Sequence, residues 1–268
     1  MNKNFFRLID SGACGAAFNM ALDEALALSV RGGETPAVVR FYGWQRPALS
    51  LGRFQKNKEG FYTDFIRESG LPVVVRPTGG RAVLHLESEL TYSVSSRFEG
   101  VFKGQNLFGC YAVVSSAISR ALERFCFGAN VEVKTEKRGP EFARRAGSSK
   151  NAHCFQSVSY SEITSGGRKL VGSAQRRWPE GFLQQGSIPF EIGGPLQGRV
   201  FRGFDAGAMT GLDELVPGVK KEKLAALKRF LTEEFEAVLG APLLASDPDR
   251  RELALARDLL PGYESACF

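Results

Sequence analysis

Two stretches of this 268-residue chain concentrate side chains that could do chemistry. In Val73-Val74-Val75-Arg76-Pro77-Thr78-Gly79-Gly80-Arg81-Ala82-Val83-Leu84-His85, an apolar strand enters a Pro-Thr-Gly-Gly loop and a second strand leaves it. Adjacent glycines let a backbone approach a ligand closely and present N–H donors, and Arg76 and Arg81 add positive charge. Such a loop could hold a phosphate, a carboxylate or a thioester carbonyl; it could equally be a hairpin with ordinary Gly-Gly turn chemistry. In the second stretch, Cys154-Phe155-Gln156-Ser157 precedes Gly167-Arg168-Lys169-Leu170-Val171-Gly172-Ser173-Ala174-Gln175. Lys169 stands among small and apolar neighbours. It reads either as a cation aimed into a narrow site beside Gly172, Ser173 and Ala174, or as an edge-strand charge that deters aggregation.

The five cysteines (Cys14, Cys110, Cys126, Cys154 and Cys267) are odd in number, scattered and without a CxxC pair. That pattern argues against a disulfide framework and against a metal site. Most should be buried thiols acting as small apolar residues, with room for one nucleophile among them. Of the two histidines, His85 leaves a strand end near the glycine loop and is a candidate site residue. His153 adjoins Cys154, but neighbours in extended chain point to opposite faces, which counts against it as a base.

The elements that must position these residues follow from periodicity. Phe18, Ala21, Leu22, Ala25, Leu26 and Ser29 fall on one stripe of a helix over 16–30, with Asn19, Asp23 and Glu24 on its other faces. β-rich runs cover 37–42, 48–51, 71–76, 82–85 and 90–95, separated by Gly and Pro signals. A helix fits 105–126, with Phe108, Tyr111, Ser115, Ile118, Leu122 and Phe125 as its stripe. The polar, charged stretch 134–151 reads as a mobile surface loop. Strands at 160–164 and 168–175 are joined through Ser165-Gly166-Gly167, which tolerates the positive φ of a tight hairpin. That turn pairs Lys169 with about Thr164, while Cys154 lies ~33 Å of extended chain further back. A shared site for both therefore needs 152–159 to fold back over the sheet. A strand over 182–188 and a helix over 218–239 complete the pattern, followed by a Pro- and Asp-rich stretch at 241–249. The order of elements predicts an α+β fold with a mixed, largely antiparallel sheet flanked by helices.

Hydrophobic residues make up 43% of the chain and charged ones 24%, values that predict a packed soluble domain. No run approaches the ~18 apolar residues of a membrane span, and the N-terminus lacks a signal-like apolar core, so a cytoplasmic protein is expected. A net charge of +6 suits an acidic partner. The densest basic groups lie at 134–145, 176–177 and 220–229. The last alternates with Leu224, Leu227 and Leu231 as a solvated helix face would, so nucleic acid is not the expected partner.

Arg-Pro-Thr-Gly-Gly-Arg-Ala-Val-Leu-His from Arg76 to His85, followed by Glu89-Leu90-Thr91-Tyr92-Ser93, resembles the ligand loop of the lipoate–protein ligase and octanoyltransferase superfamily. Gly167 to Gln175, with Gln184-Gln185-Gly186-Ser187-Ile188 after it, resembles the same family. So do Asn19-Met20-Ala21-Leu22-Asp23-Glu24 and Ser50-Leu51-Gly52-Arg53-Phe54-Gln55. The likeness spans about 15 to 190 in the family's order.

Within that superfamily, Cys154-Phe155 with Ser157, Ser159 and Glu162 is similar to the cysteine-type octanoyltransferases. ATP-dependent ligases usually carry polar residues there, and often an added C-terminal domain. Here only about 80 residues follow Ile188. The resemblance implies a biotin/lipoate-ligase-like catalytic domain over 1–240, with 241–268 as a C-terminal tail. It implies transfer of an octanoyl group from acyl carrier protein to a lysine of a lipoyl domain or glycine-cleavage H-type protein, through a thioester on Cys154. Lys169 would assist as the second catalytic residue. Arg76, Thr78, Gly79, Gly80, Arg81, His85, Gly172, Ser173 and Ala174 would bind the substrate. No cofactor is expected; ATP enters only in the competing reading, a lipoate–protein ligase in which Arg76, Gly79, Gly80 and Lys169 hold an acyl-adenylate. A non-catalytic acyl-binding module is the third reading. With only two histidines in the chain, a Cys–His hydrolase is the weakest.

Overall fold

The structure, a computed structural model, describes residues 5–56, 58–127, 131–134, 162–192, 194–216, 218 and 223–264. In chain order the elements are β1 (Phe6–Cys14), α1 (Ala16–Arg31), β2 (Val38–Trp44), β3 (Ala48–Leu51), α2 (Thr63–Glu68), β4 (Val73–Val75), β5 (Val83–His85), β6 (Glu89–Arg97), α3 (Leu107–Phe125), β7 (Val131–Lys134), β8 (Glu162–Ser165), β9 (Arg168–Arg177), β10 (Gly181–Pro189), α4 (Pro195–Val200), α5 (Leu212–Leu215), α6 (Leu224–Leu239), β11 (Leu243–Ala245) and α7 (Arg250–Glu264).

Eight strands form one sheet in the order β11-β1-β2-β6-β10-β9-β8-β7, and β4-β3-β5 form a second. β1 runs parallel to β2 and β11, while every other pair of the large sheet is antiparallel. The mixed, largely antiparallel α+β architecture read from the sequence is therefore what the chain forms.

Alternation along β2 explains the layers. Val39 and Phe41 face the cluster built with Val114, Ile118 and Leu122 of α3 and with Leu231 and Phe235 of α6. Val38, Tyr42 and Trp44 face the opposite cluster, where Met20, Leu22, Ala25 and Leu26 of α1 meet Ala256 and Tyr263 of α7. With both faces covered, β10 is buried at every position, so Phe182 and Leu183 are both buried although neighbours in a strand point to opposite faces, and so are Gln184 and Gln185. Leu49, Leu51 and Leu84 of the small sheet pack on Ile66 of α2 and on Val200 and Phe201.

Several expectations change. Asn19 and Asp23, placed by periodicity on the polar faces of α1, are fully buried, because α1 is sandwiched between the sheet and α7. On α3, Phe108 is exposed, while Cys110, Val114, Ala117 and Ala121 take the buried row. Small residues there let α6 and the sheet approach closely, which outweighs the aromatic content used to place the stripe. Within the expected tail, residues 243–264 pack on the rest of the molecule. β11 adds to the sheet edge at β1, and Arg7 makes a bidentate pair with the fully buried Glu252 of α7, at 2.6 and 2.9 Å. β1, α2, β7, α4, α5, β11 and α7 were not foreseen. Lys169 is not an edge-strand charge: β9 lies inside the sheet between β8 and β10. Of the expected loop at 134–151, only Lys134, the end of β7, lies within the described residues.

Candidate active site

The glycine segment is not a hairpin. β4 and β5 do not pair with each other; β3 lies between them, parallel to β4 and antiparallel to β5, and residues 76–82 cross over its end. Two backbones come close there. A Cβ on Gly52 would fall 1.9 Å from the Gly80 carbonyl oxygen, and Gly80 adopts φ +86°, a conformation that favours glycine. The N–H of Arg53 donates to the Thr78 carbonyl and that of Arg76 to the Leu51 carbonyl, fixing the loop on β3.

The guanidinium of Arg76 turns inward. Nε and Nη2 donate to the Gly79 carbonyl at 3.1 and 2.6 Å, Nη2 also to the Arg81 carbonyl at 2.7 Å, and Nη1 to the Ser50 carbonyl and hydroxyl, each at 3.1 Å. The loop is anchored a second time by Thr78, whose hydroxyl donates to Gln185 Oε1 at 2.7 Å. Gln185 Nε2 donates in turn to Asp23 at 2.7 Å. Asp23 also accepts from Arg40, Tyr42 and Ser93 at 2.7–2.8 Å. Arg40 is completed by the side chains of Asn19 and Ser11. The charges of this buried pair are tolerated because their donors and acceptors are filled.

His85, at the end of β5, is held from three sides. Nε2 lies 2.7 Å from the Ser50 hydroxyl, Nδ1 lies 2.6 Å from Glu89 Oε1, and the ring stacks on Trp44 with centroids 3.8 Å apart. Thr91 donates to the same Glu89 oxygen at 2.7 Å and accepts from Trp44 Nε1 at 2.8 Å.

These residues surround a narrow pocket whose open surface is mainly apolar. Met20, Tyr42, Trp44 and Val83 line it together with Ser50, Arg76, His85 and Thr91, and β9 and β10 contribute Gly172, Ser173, Ala174, Gln185, Gly186 and Ser187. Gly186 is required by the strand beside it: a Cβ there would run into the ring of Tyr92, its partner on β6. Burial pushes the Tyr92 phenol up to about 12, so it stays protonated, and its oxygen lies 2.7 Å from the Ser173 hydroxyl.

Of the sequence-derived site residues, Arg76, His85, Gly172, Ser173 and Ala174 share this pocket. Gly80 sits against Ala174, and Thr78 is buried behind the loop. Gly79 and Arg81 present their carbonyls to Arg76. Lys169 is fully buried on β9, paired with Thr164 across the Gly166-Gly167 turn as expected. Cys154, His153 and the expected fold-back of 152–159 lie outside the described residues. Burial raises the thiols of Cys14, Cys110 and Cys126, the last to about 11, so all three are protonated and unreactive near neutrality. Sequence reasoning gave no role to Ser50, Glu89, Asp23, Arg40 or Gln185. Arg40 was detectable as a lone charge within an apolar β-run, and a buried charge needs partners.

A family model described as the lipoyl protein ligase A/B catalytic domain matches residues 15–237. Octanoyltransferase LipM of Kyrpidia tusciae is 34% identical over 272 residues, covering 96% of either chain. The LipM octanoyltransferases of Moorella thermoacetica and Bacillus subtilis are 40% and 38% identical over 194 and 192 residues, in each case 72% of this chain and 68% of theirs. Among solved structures, lipoate-protein ligase A bound with ATP superposes with a TM-score of 0.78 at 18% identity, over 98% of this chain and 96% of that one. The bi-partite lipoate protein ligase of Thermoplasma acidophilum, described with its E2 lipoyl domain, gives 0.74 at 17% identity, over 98% and 94%. At such identity the two structures speak to the fold.

Proposed function

The chain belongs to the lipoyl protein ligase A/B catalytic-domain family, and from that membership we propose that it is an octanoyltransferase working through a thioester on Cys154. The observation that carries this reading is the pocket. Its small-residue wall of Gly172, Ala174 and Gly186 faces Met20, Trp44 and Val83 beside the glycine loop, a slot suited to a thin, unbranched acyl chain.

The Cys154 thiolate attacks the carbonyl carbon of an octanoyl thioester on acyl carrier protein. The carrier thiolate leaves and takes up a proton, and a thioester forms on Cys154. The ε-amine of a lysine on a lipoyl domain or H-type protein then attacks that carbonyl, forming an amide and returning the thiol. A thioester is converted to an amide, a downhill exchange, so no ATP is required. A thiol of ordinary pKa ~8.5 is mostly protonated at neutral pH, and the ammonium of Lys169 would favour the thiolate and later the oxyanion. Arg76, His85, Gly172, Ser173 and Ala174, with Gly79, Gly80 and Arg81 of the glycine loop, would bind the acyl group, and Thr78, buried behind the loop, would brace it.

The test withholds the acceptor. Octanoyl-carrier protein without ATP should add about 126 Da to the enzyme as a hydroxylamine-labile adduct, the intermediate that covalent catalysis requires. Cys154→Ala should abolish it, whereas alanine at Cys14, Cys110, Cys126 or Cys267 should not. A Cys154→Ala protein that modifies lipoyl domains, given ATP and free octanoate, would establish the ligase reading instead. Binding of octanoyl groups with no adduct and no turnover under either condition would leave an acyl-binding module.

A further inference from the structure

We infer that Ser50, His85 and Glu89 act together as positioning residues that hold the glycine loop in its substrate-binding shape through Arg76, an inference that rests on the octanoyltransferase reading for its effect on turnover. The three lie on different segments, β3, β5 and β6, and are all buried. Their polar atoms form one chain. Glu89 collects donors: Oε1 faces the Thr91 hydroxyl and His85 Nδ1, and Oε2 accepts from the Leu86 N–H. With Glu89 accepting, His85 Nδ1 is the donor, and the other ring nitrogen, Nε2, lies 2.7 Å from the Ser50 hydroxyl. The oxygen of that hydroxyl accepts from Arg76 Nη1 at 3.1 Å.

The far end of the chain is the loop itself. With one edge fixed on Ser50, the planar guanidinium can only aim its remaining donors in one direction, and they meet the carbonyls of Gly79 and Arg81. In a trans peptide the N–H points opposite to the C=O. Turning those two carbonyls toward Arg76 therefore turns the N–H groups of Gly80 and Ala82 away from it. Which way a glycine-rich backbone presents its donors is set here by side chains, because glycine alone imposes little preference.

The distances of Ser50, His85 and Glu89 also match those of a nucleophile, its base and an orienting carboxylate. Occupancy decides against that role: Ser50 lies in a regular strand, and its hydroxyl is already filled by both His85 and Arg76.

Two readouts on the full chain test the inference, with Ser50→Ala and Glu89→Gln as disrupting variants and Ser50→Thr keeping the hydroxyl. The first is amide hydrogen exchange. The peptide spanning 76–83 should exchange roughly fivefold faster or more in Ser50→Ala, about the factor one lost hydrogen bond gives, while peptides from α3 and β10 stay unchanged. The second is steady-state transfer from octanoyl-carrier protein. KM for the donor should rise roughly tenfold with kcat within about twofold, as expected when binding rather than chemistry is lost, and Ser50→Thr should recover most of it. Unchanged exchange at 76–83 would overturn the inference. So would a loss of kcat at constant KM, which marks Ser50 as chemically engaged, or a uniform loss of stability and active fraction, which marks a packing role. If the wild-type protein transfers nothing from the carrier, the octanoyltransferase reading fails, and the exchange measurement still decides whether the relay orders the loop.

Discussion

Lys169 has no exposed surface, and a buried ammonium is costly unless its charge is met. Removing it alone leaves the groups that meet it inside the protein without their partner. Lys169→Met should lower acyl transfer by on the order of 100-fold, the usual effect of removing a charge that meets a developing oxyanion. Its melting temperature should fall in calorimetry, as when one member of a buried pair is lost. Near-full activity would remove Lys169 from the chemistry. Asp23 is a buried charge of the opposite sign. It accepts from Arg40, Tyr42, Ser93 and Gln185, so an amide in its place would direct a donor at donors. Asp23→Asn should lose about 3–5 kcal/mol in chemical denaturation, as breaking a buried pair does. Asparagine at wild-type stability would show that the cluster does not depend on its charge.

At the scale of elements, the contact between the end of β3 and the glycine loop leaves no room for a methyl group. Gly52→Ala must push against the Gly80 carbonyl, backbone against backbone, and the loop rather than the core has to yield. Transfer should fall by tenfold or more, a loss of the size that a misplaced substrate brings, while thermal stability changes little. A large drop in melting temperature with the remaining activity intact would show that the loop is not what moved. Strands with clear apolar runs, such as β2, β3, β5 and β6, were legible in the sequence, and so was the Gly166-Gly167 turn. α7 carried a signal that passed unread. Asp249-Arg250-Arg251-Glu252 is a capping box, with Asp249 Oδ1 accepting from the Glu252 N–H and Glu252 Oε2 from the Asp249 N–H, each at 2.8 Å. Composition hid it, because a Pro- and Asp-rich stretch reads as loop. The pocket was legible only in part. Residues of one motif could be named together, but Trp44, Ser50 and Thr91 join them through a sheet register that no local pattern encodes.

For the molecule as a whole, a net charge of +6 should steer acidic carrier and acceptor domains toward it. Second-order transfer should slow as salt rises from low to physiological, since exposed charges are screened beyond ~8–10 Å. A rate indifferent to salt would take charge out of partner choice. Fold class followed from element order alone, since helices at both ends and in the middle of a set of strands leave few ways to cover a sheet.

The pairing of β1 with β11 has a consequence for how the protein is made. Residues 6–8 leave the ribosome more than 200 residues before their partners, so the edge they offer waits for residues 243–245, and Arg7 waits for Glu252. At a synthesis rate of ~5–20 residues per second, that interval is on the order of 10–50 s. Throughout it the nascent chain carries an open strand edge and a guanidinium without its carboxylate, the kind of exposure on which unwanted pairing between chains begins. A chain stopped at residue 240 keeps that exposure permanently. It should collect in the insoluble fraction of a cell-free translation, while the chain carried through to residue 264 stays in the supernatant.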